Sequence, residues 1–188
     1  PSDRGRFERV HSGDVKIYRN VDSLPRAYLV HQAVTVSSTQ AAAAALLGGD
    51  LIPGVNAVVE LPPEADPLAL DSSTCDPAQD QVEIIHYAAE EIVLRTMAGS
   101  SALLVLSDSY YPGWTATVDG RPATILPANV AFRGVVLPPG AHEVRFAYRP
   151  TGWETGLWLG GGGLLVGLGL VVTGFWQIGL HKDGSRAV

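Results

Sequence analysis

Between residues 81 and 150 short apolar runs, several of them alternating with polar positions, are broken by turn residues, the pattern of β-strands. Strands are predicted over 82–87, 91–97, 102–107, 114–119, 122–126, 131–137 and 142–149. The turn signals AGSS, YPG, VDGRP and LPPGAH separate them at intervals of about 8–12 residues, which predicts an Ig-like β-sandwich. Upstream, VKIYRN (15–20) and AYLVHQAVTV (27–36) read as strands punctuated by Pro25. SSTQAAAAALLGGD predicts a short helix over 38–47, with Ser37 and Gln40 as capping box and Gly48 as C-cap. AVVEL (57–61) is a further strand, and the Pro- and Asp-rich stretch 62–80 is a linker.

The C-terminal part has a different pattern. Gly156–Leu180 is a run of 25 residues without a charge. As a helix it would be ~38 Å long, against ~30 Å of bilayer hydrocarbon, so it predicts one transmembrane helix. Trp153 and Trp158 lie near one end and Trp176 near the other, where indoles favour the membrane interface. Arg145 and Arg149 before the run balance Lys182 and Arg186 after it, so flanking charge does not orient it. Gly156, Gly160, Gly163, Gly167 and Gly174 fall on one stripe, a surface on which a second helix can approach closely. The expected organisation is a small α+β region (1–61), linker (62–80), β-sandwich (81–150), transmembrane helix with interfacial lead-in (151–180) and short tail (181–188). The fold class is thus mainly β, a sandwich with a small α/β N-terminal part followed by one membrane helix.

Net charge is −6, with Lys and Arg scattered, which argues against a nucleic-acid partner. The single cysteine, Cys75, excludes an internal disulfide and a cysteine-based metal site. His11, His31, His86, His142 and His181 show no metal-ligand spacing, so neither metal nor cofactor is expected. No charged-then-apolar leader follows Pro1, and the chain reads as a piece of a longer protein.

The stretch SDSYYPGWTATVDGRP (107–122) carries the candidate chemistry. Pro112 and Gly113 make a turn, Trp114 opens a strand, and Asp119-Gly120 is a type I′ hairpin signal. Trp114 shares a strand face with Ala116 and Val118 and is expected in the core. Tyr110 and Tyr111 are consecutive, so an extended backbone turns them to opposite sides and leaves at least one near the surface. With Asp108 they could form a stacking and hydrogen-bonding ledge for a sugar. Asp108 and Asp119 as paired carboxylates of a hydrolase are the weaker reading, because the turn already accounts for Asp119 and no GxSxG motif is present.

SDSYYPGWTATVDG, then NVAFRGVVLPPGAHEVRFAYRP, then a Gly-rich apolar run, together with LPRAYLVHQA and the alanine-rich helix, resembles the C-terminal region of bacterial YfhO-like membrane proteins. The resemblance implies a large polytopic protein similar to GT-C glycosyltransferases, which transfer sugar from polyprenyl-phosphate carriers to cell-envelope polymers. It implies no catalytic residue in this chain, because the acidic residues of that chemistry are expected in loops between early membrane helices. It implies residues 1–155 outside the bacterial cytoplasmic membrane and the tail inside, with lipid, further transmembrane helices and a glycan or polyprenyl-phosphate-sugar as partners. A surface carbohydrate-binding or interaction module with a single anchor is the alternative.

Overall fold

The protein is described by a computed structural model covering residues 6–71, 79–150 and 152–183; in the last helix the side chains of 154 and 172–183 are outside the described set. Cys75, the surroundings of Gly174 and the side chain of Trp176 therefore lie outside the described residues. The fold is mainly β and divides into two units, Pro1–Tyr148 and Arg149–Val188.

In the first unit, Phe7–Ser12 (β1) and Lys16–Asn20 (β2) form a two-stranded antiparallel hairpin. β1 was not expected, since FERVHS neither alternates nor buries a face: every one of its residues is exposed. The predicted strand 27–36 is two strands, Ala27–Val30 (β3) and Gln32–Val36 (β4), which meet at His31. The helix Thr39–Leu47 (α1) follows. Its N-cap is Ser38, not Ser37: the Ser38 hydroxyl accepts from the Ala41 amide, three residues on. Gly48 stays right-handed and Gly49, at φ +82°, takes the left-handed turn.

Asn56–Glu60 (β5) runs parallel to β4, and α1 provides the crossover. The remaining strands are Gln81–Tyr87 (β6), Glu91–Ala98 (β7), Ala102–Ser109 (β8), Trp114–Val118 (β9), Arg121–Ala123 (β10), Leu126–Ala128 (β11), Phe132–Leu137 (β12) and Gly140–Tyr148 (β13). The predicted strand 122–126 is divided between β10 and β11, which enter different sheets.

One sheet has the order β10-β9-β13-β7-β6 and the other β3-β8-β12-β11-β5-β4. The outer strands of the second sheet, β3 and β4, are consecutive in the chain with only His31 between them. Two virtual bonds of 3.8 Å cannot separate sheet edges widely, so this sheet curls back on itself. Its β8 strand shows why ALLVL is a continuous apolar run and not an alternating one. Leu104 and Leu106 join Ile92, Leu94, Val135, Leu137, Val144 and Phe146 in the core between the sheets. Leu103 and Val105 face the other way, into a second core with Val30, Ala57, Val59 and Ala128. A strand buried on both faces has no polar side to alternate.

The second unit is the helix Trp153–Asp183 (α2), 31 residues long. Among the described residues no helix is long and apolar enough to cross a membrane. The predicted span 156–180 continues into residues whose side chains lie outside the described set. A Cβ added at Gly156, Gly160, Gly163 or Gly167 would meet nothing within 4 Å.

Candidate functional site

The end of the sandwich around residues 108–114 brings together side chains from both sheets. In the β8/β12 pairing, Phe132 opposes Ser109 while Arg133 opposes Leu106. Ser107 and Asp108 are thus extra residues in β8, a bulge of the kind that re-aims side chains. Past the bulge the chain turns through Pro112 and Gly113, whose φ of +99° suits glycine, and re-enters the other sheet at Trp114.

Tyr110 and Tyr111 are 45 % and 62 % exposed. Both line a cavity of about 300 Å³ with Pro112, Trp114, Thr115, Pro122 and Ile125. That volume is at the lower end of small-ligand sites. The two tyrosines are thus brought together with Trp114 and Pro112 at one opening. Gly113, Asp119 and Gly120 are not among the lining residues. A larger cavity of about 470 Å³ lies beside the start of α1, but its lining of Thr35, Val36, Ser37, Ala41, Leu61, Ala65 and prolines offers neither an aromatic nor a charged group.

Asp108 is directed elsewhere. Its carboxylate accepts from Arg26 Nη1 at 2.8 Å and from the Tyr87 hydroxyl at 3.2 and 3.3 Å, and its side chain is only 13 % exposed. Arg26 also donates to the Tyr87 hydroxyl at 2.7 Å, and its guanidinium carbon stands 5.0 Å from that ring's centre. The three residues tie the segment before β3, the end of β6 and the end of β8 to one another. Sequence reading did not select Arg26 or Tyr87, because both belong to strand ends far from residue 108.

Arg133 was also missed. It is 4 % exposed and shares the inward face of β12 with Val135 and Leu137. Its guanidinium carbon lies 3.7 Å from the centre of the Trp114 ring and 5.9 Å from that of Phe146. Nε donates to the Ser109 carbonyl at 3.0 Å, while Nη1 is buried without a hydrogen-bond partner. Burial lowers its pKa from the usual arginine value, against the opposing pull of Asp108 and Tyr87. The sequence did carry a signal: in FRGVVL the inward positions are 133, 135 and 137, so a charge falls on the core face.

Trp114 is partly buried and packs against the inter-sheet core. Arg133 stacks over its ring, and Tyr148, its cross-strand neighbour, lies 5.4 Å away at 44°. The exposed platform is therefore carried by the two tyrosines.

Asp119 and Gly120 have φ of +50° and +76°, the two left-handed residues of a type I′ turn. Asp119 does more than turn the chain. Its carboxylate accepts from His142 Nδ1 at 2.7 Å and from the Glu143 amide at 2.9 Å, and these bonds lower its pKa, the His142 bond most. The turn is latched to β13, and the aspartate is structural.

One Ser–His–Asp arrangement occurs among the described residues, and its geometry excludes a hydrolytic triad. His31 Nε2 meets Asp80 Oδ2 at 2.6 Å, and Nδ1 lies 3.0 Å from Ser100 Oγ. However, Nδ1 also faces the Ser101 carbonyl at 3.1 Å, which can only accept, so Nδ1 carries a proton and cannot act as base. The Ser100 hydroxyl donates to the Asp71 carbonyl at 2.6 Å and is buried. The three side chains clamp the β3–β4 junction to the turn between β7 and β8. Among the described residues no group of three or more His, Cys, Asp or Glu side chains could hold a metal ion.

The model of one family, bacterial membrane protein YfhO, matches residues 66–160, half of the chain. That span contains the tyrosine cavity, Arg133 and the beginning of α2. The chain belongs to this family. No curated protein and no solved structure matches it.

Proposed function

From membership of a family of bacterial membrane proteins, we propose that this chain is the non-catalytic extracytoplasmic domain and last membrane helix of a glycosyltransferase-like envelope protein, and that its sandwich end holds a glycan. The observation that carries this reading is the pair of exposed tyrosines lining a cavity of about 300 Å³ on a braced loop. A tyrosine ring offers a flat apolar face to the C–H side of a pyranose and a hydroxyl to its polar rim. Asp108 supports the ledge through Arg26 and Tyr87 in this reading, and contact with sugar falls to Tyr110 and Tyr111. The acidic chemistry of transfer belongs to other parts of the full-length protein. α2 is the membrane span, supported by its unbroken helix over the uncharged 156–180 stretch. Residues 1–155 lie outside the cytoplasmic membrane and residues 181–188 inside. The bare glycine stripe at Gly156, Gly160, Gly163 and Gly167 suits neighbouring membrane helices, which favours a polytopic protein over a single anchor.

The test is saccharide binding by the full-length protein in nanodiscs, with N-acetylglucosamine, glucose and cellobiose as probes. Tyr110→Ala and Tyr111→Ala should each weaken binding about fivefold or more while leaving the melting temperature nearly unchanged. Trp114→Ala should instead lower stability by about 3 kcal/mol. Wild-type protein that binds none of the three sugars, or tyrosine variants that bind as well as wild type, would overturn the reading.

A further inference from the structure

One guanidinium touches both ends of the tyrosine loop. Arg133 Nε holds the Ser109 carbonyl, the last backbone group before Tyr110. Its planar face covers the ring of Trp114, the first residue after the Pro112-Gly113 turn. The Tyr110 amide adds a third tie, donating to the Ala131 carbonyl at 2.6 Å, two residues before Arg133. The segment carrying the two rings is therefore braced from β12, which pairs with the β8 strand the segment leaves and reaches across to Trp114 of the other sheet.

Arginine is a costly choice for this place. It points into the core between the sheets, it is 4 % exposed, and Nη1 has no hydrogen-bond partner. A leucine or methionine would fill the same space without stranding a donor, and such exchanges are often neutral or stabilising. A side chain that breaks the local packing rule beside a cavity points to a role outside the core.

We propose that Arg133 is the positioning residue of the Tyr110–Tyr111 ledge: by pinning Ser109 and covering Trp114 it fixes both tyrosine rings at the mouth of the cavity. The ligand side of this proposal rests on the glycan reading above; the ordering of the loop does not. Lysine cannot replace it, since an ammonium has neither the planar face nor the Nε donor.

The experiment compares wild type, Arg133→Met and Arg133→Lys as full-length protein in nanodiscs, with Trp153, Trp158, Trp176 and any tryptophan outside this chain changed to phenylalanine. Three readouts are taken: melting temperature, acrylamide quenching of Trp114 emission, and binding of the same three saccharides. Arg133→Met should melt within about 2 °C of wild type or above it. Both variants should raise the quenching constant, and both should weaken saccharide binding about tenfold or more. Unchanged quenching in a folded variant overturns the proposal. So does wild-type saccharide affinity in both variants where Tyr111→Ala still weakens it. Should Arg133→Met fail to fold, Arg133→Lys decides on the same readouts; if both unfold, Arg133 is a core residue and the proposal is wrong. Failure of wild type to bind any sugar sinks the glycan reading alone, and the quenching arm still decides the positioning role.

Discussion

Replacing His31 with alanine tests the clamp that joins the strands of the first unit. The imidazole occupies the single residue between β3 and β4, with its side chain 8 % exposed and that of its partner Asp80 13 % exposed. Its removal strands Asp80 Oδ2 and the Ser101 carbonyl together, while Asp80 Oδ1 keeps the Gly99 amide at 3.1 Å. Leaving a buried acceptor without its donor costs about 1–3 kcal/mol, more for a carboxylate, and water entering the polar hole limits the sum. A loss of about 3 kcal/mol in a unit of this size lowers the melting temperature by roughly 6–12 °C. Ser100→Ala removes the hydroxyl that donates to Asp71 and faces His31 Nδ1 at 3.0 Å, and should cost about 1 kcal/mol. Thermal unfolding followed by near-UV circular dichroism, run for His31→Ala, Asp80→Ala and the double variant, measures the coupling. It should be at least about 1.5 kcal/mol. A His31→Ala protein melting within about 1 °C of wild type would refute the clamp. Covalent capture of Ser100 by a fluorophosphonate would refute the proton assignment on which the structural reading rests.

The Asp119 latch predicts a pH dependence of defined sign. Its folded pKa is lowered from 3.8, so its contribution is present above that value and is lost as pH falls through the depressed folded pKa. The melting-temperature gap between wild type and Asp119→Asn should be present at pH 5 and close as pH falls below about 4; a gap that persists undiminished at pH 2 contradicts the assignment. For the glycine stripe, a Cβ added at Gly163 or Gly167 meets nothing within 4 Å, and the same holds at Gly162 and Gly169. In the full-length membrane protein the first pair should lower the yield of monodisperse detergent extract and the second pair should not; equal yields remove the case for partner helices.

Features written by local chemistry were legible from sequence. The Asp119-Gly120 turn needs only two residues that accept φ above zero, and the structure has both. The Trp114, Ala116, Val118 face follows from alternation within one strand. What failed depends on pairing that periodicity cannot express. AYLVHQAVTV is one apolar run, yet its first half bonds β8 and its second half β5, and the change of partner falls at His31. ALLVL conceals its two buried faces for the same reason, since a strand between two cores carries no polar period.

The candidate site was half legible, and the division has a physical cause. Tyr110 and Tyr111 could be found because their exposure is a local consequence of adjacent positions beside a turn. Asp108 was found for its neighbours, yet its carboxylate is set by Arg26 and Tyr87, which lie 82 and 21 residues away in the chain. Arg133 presented a conflict that sequence alone cannot resolve: alternation assigns it to the core, and charge assigns it to solvent. The structure resolves it in favour of the core, and the resolution has a cost, the unpartnered Nη1. A sequence rule that flags a charge on an inward strand position would have marked residue 133 without knowing what it touched. In this fold it touches both ends of the only segment that carries two adjacent tyrosines, so the residue that violates the pattern braces the residues that follow it.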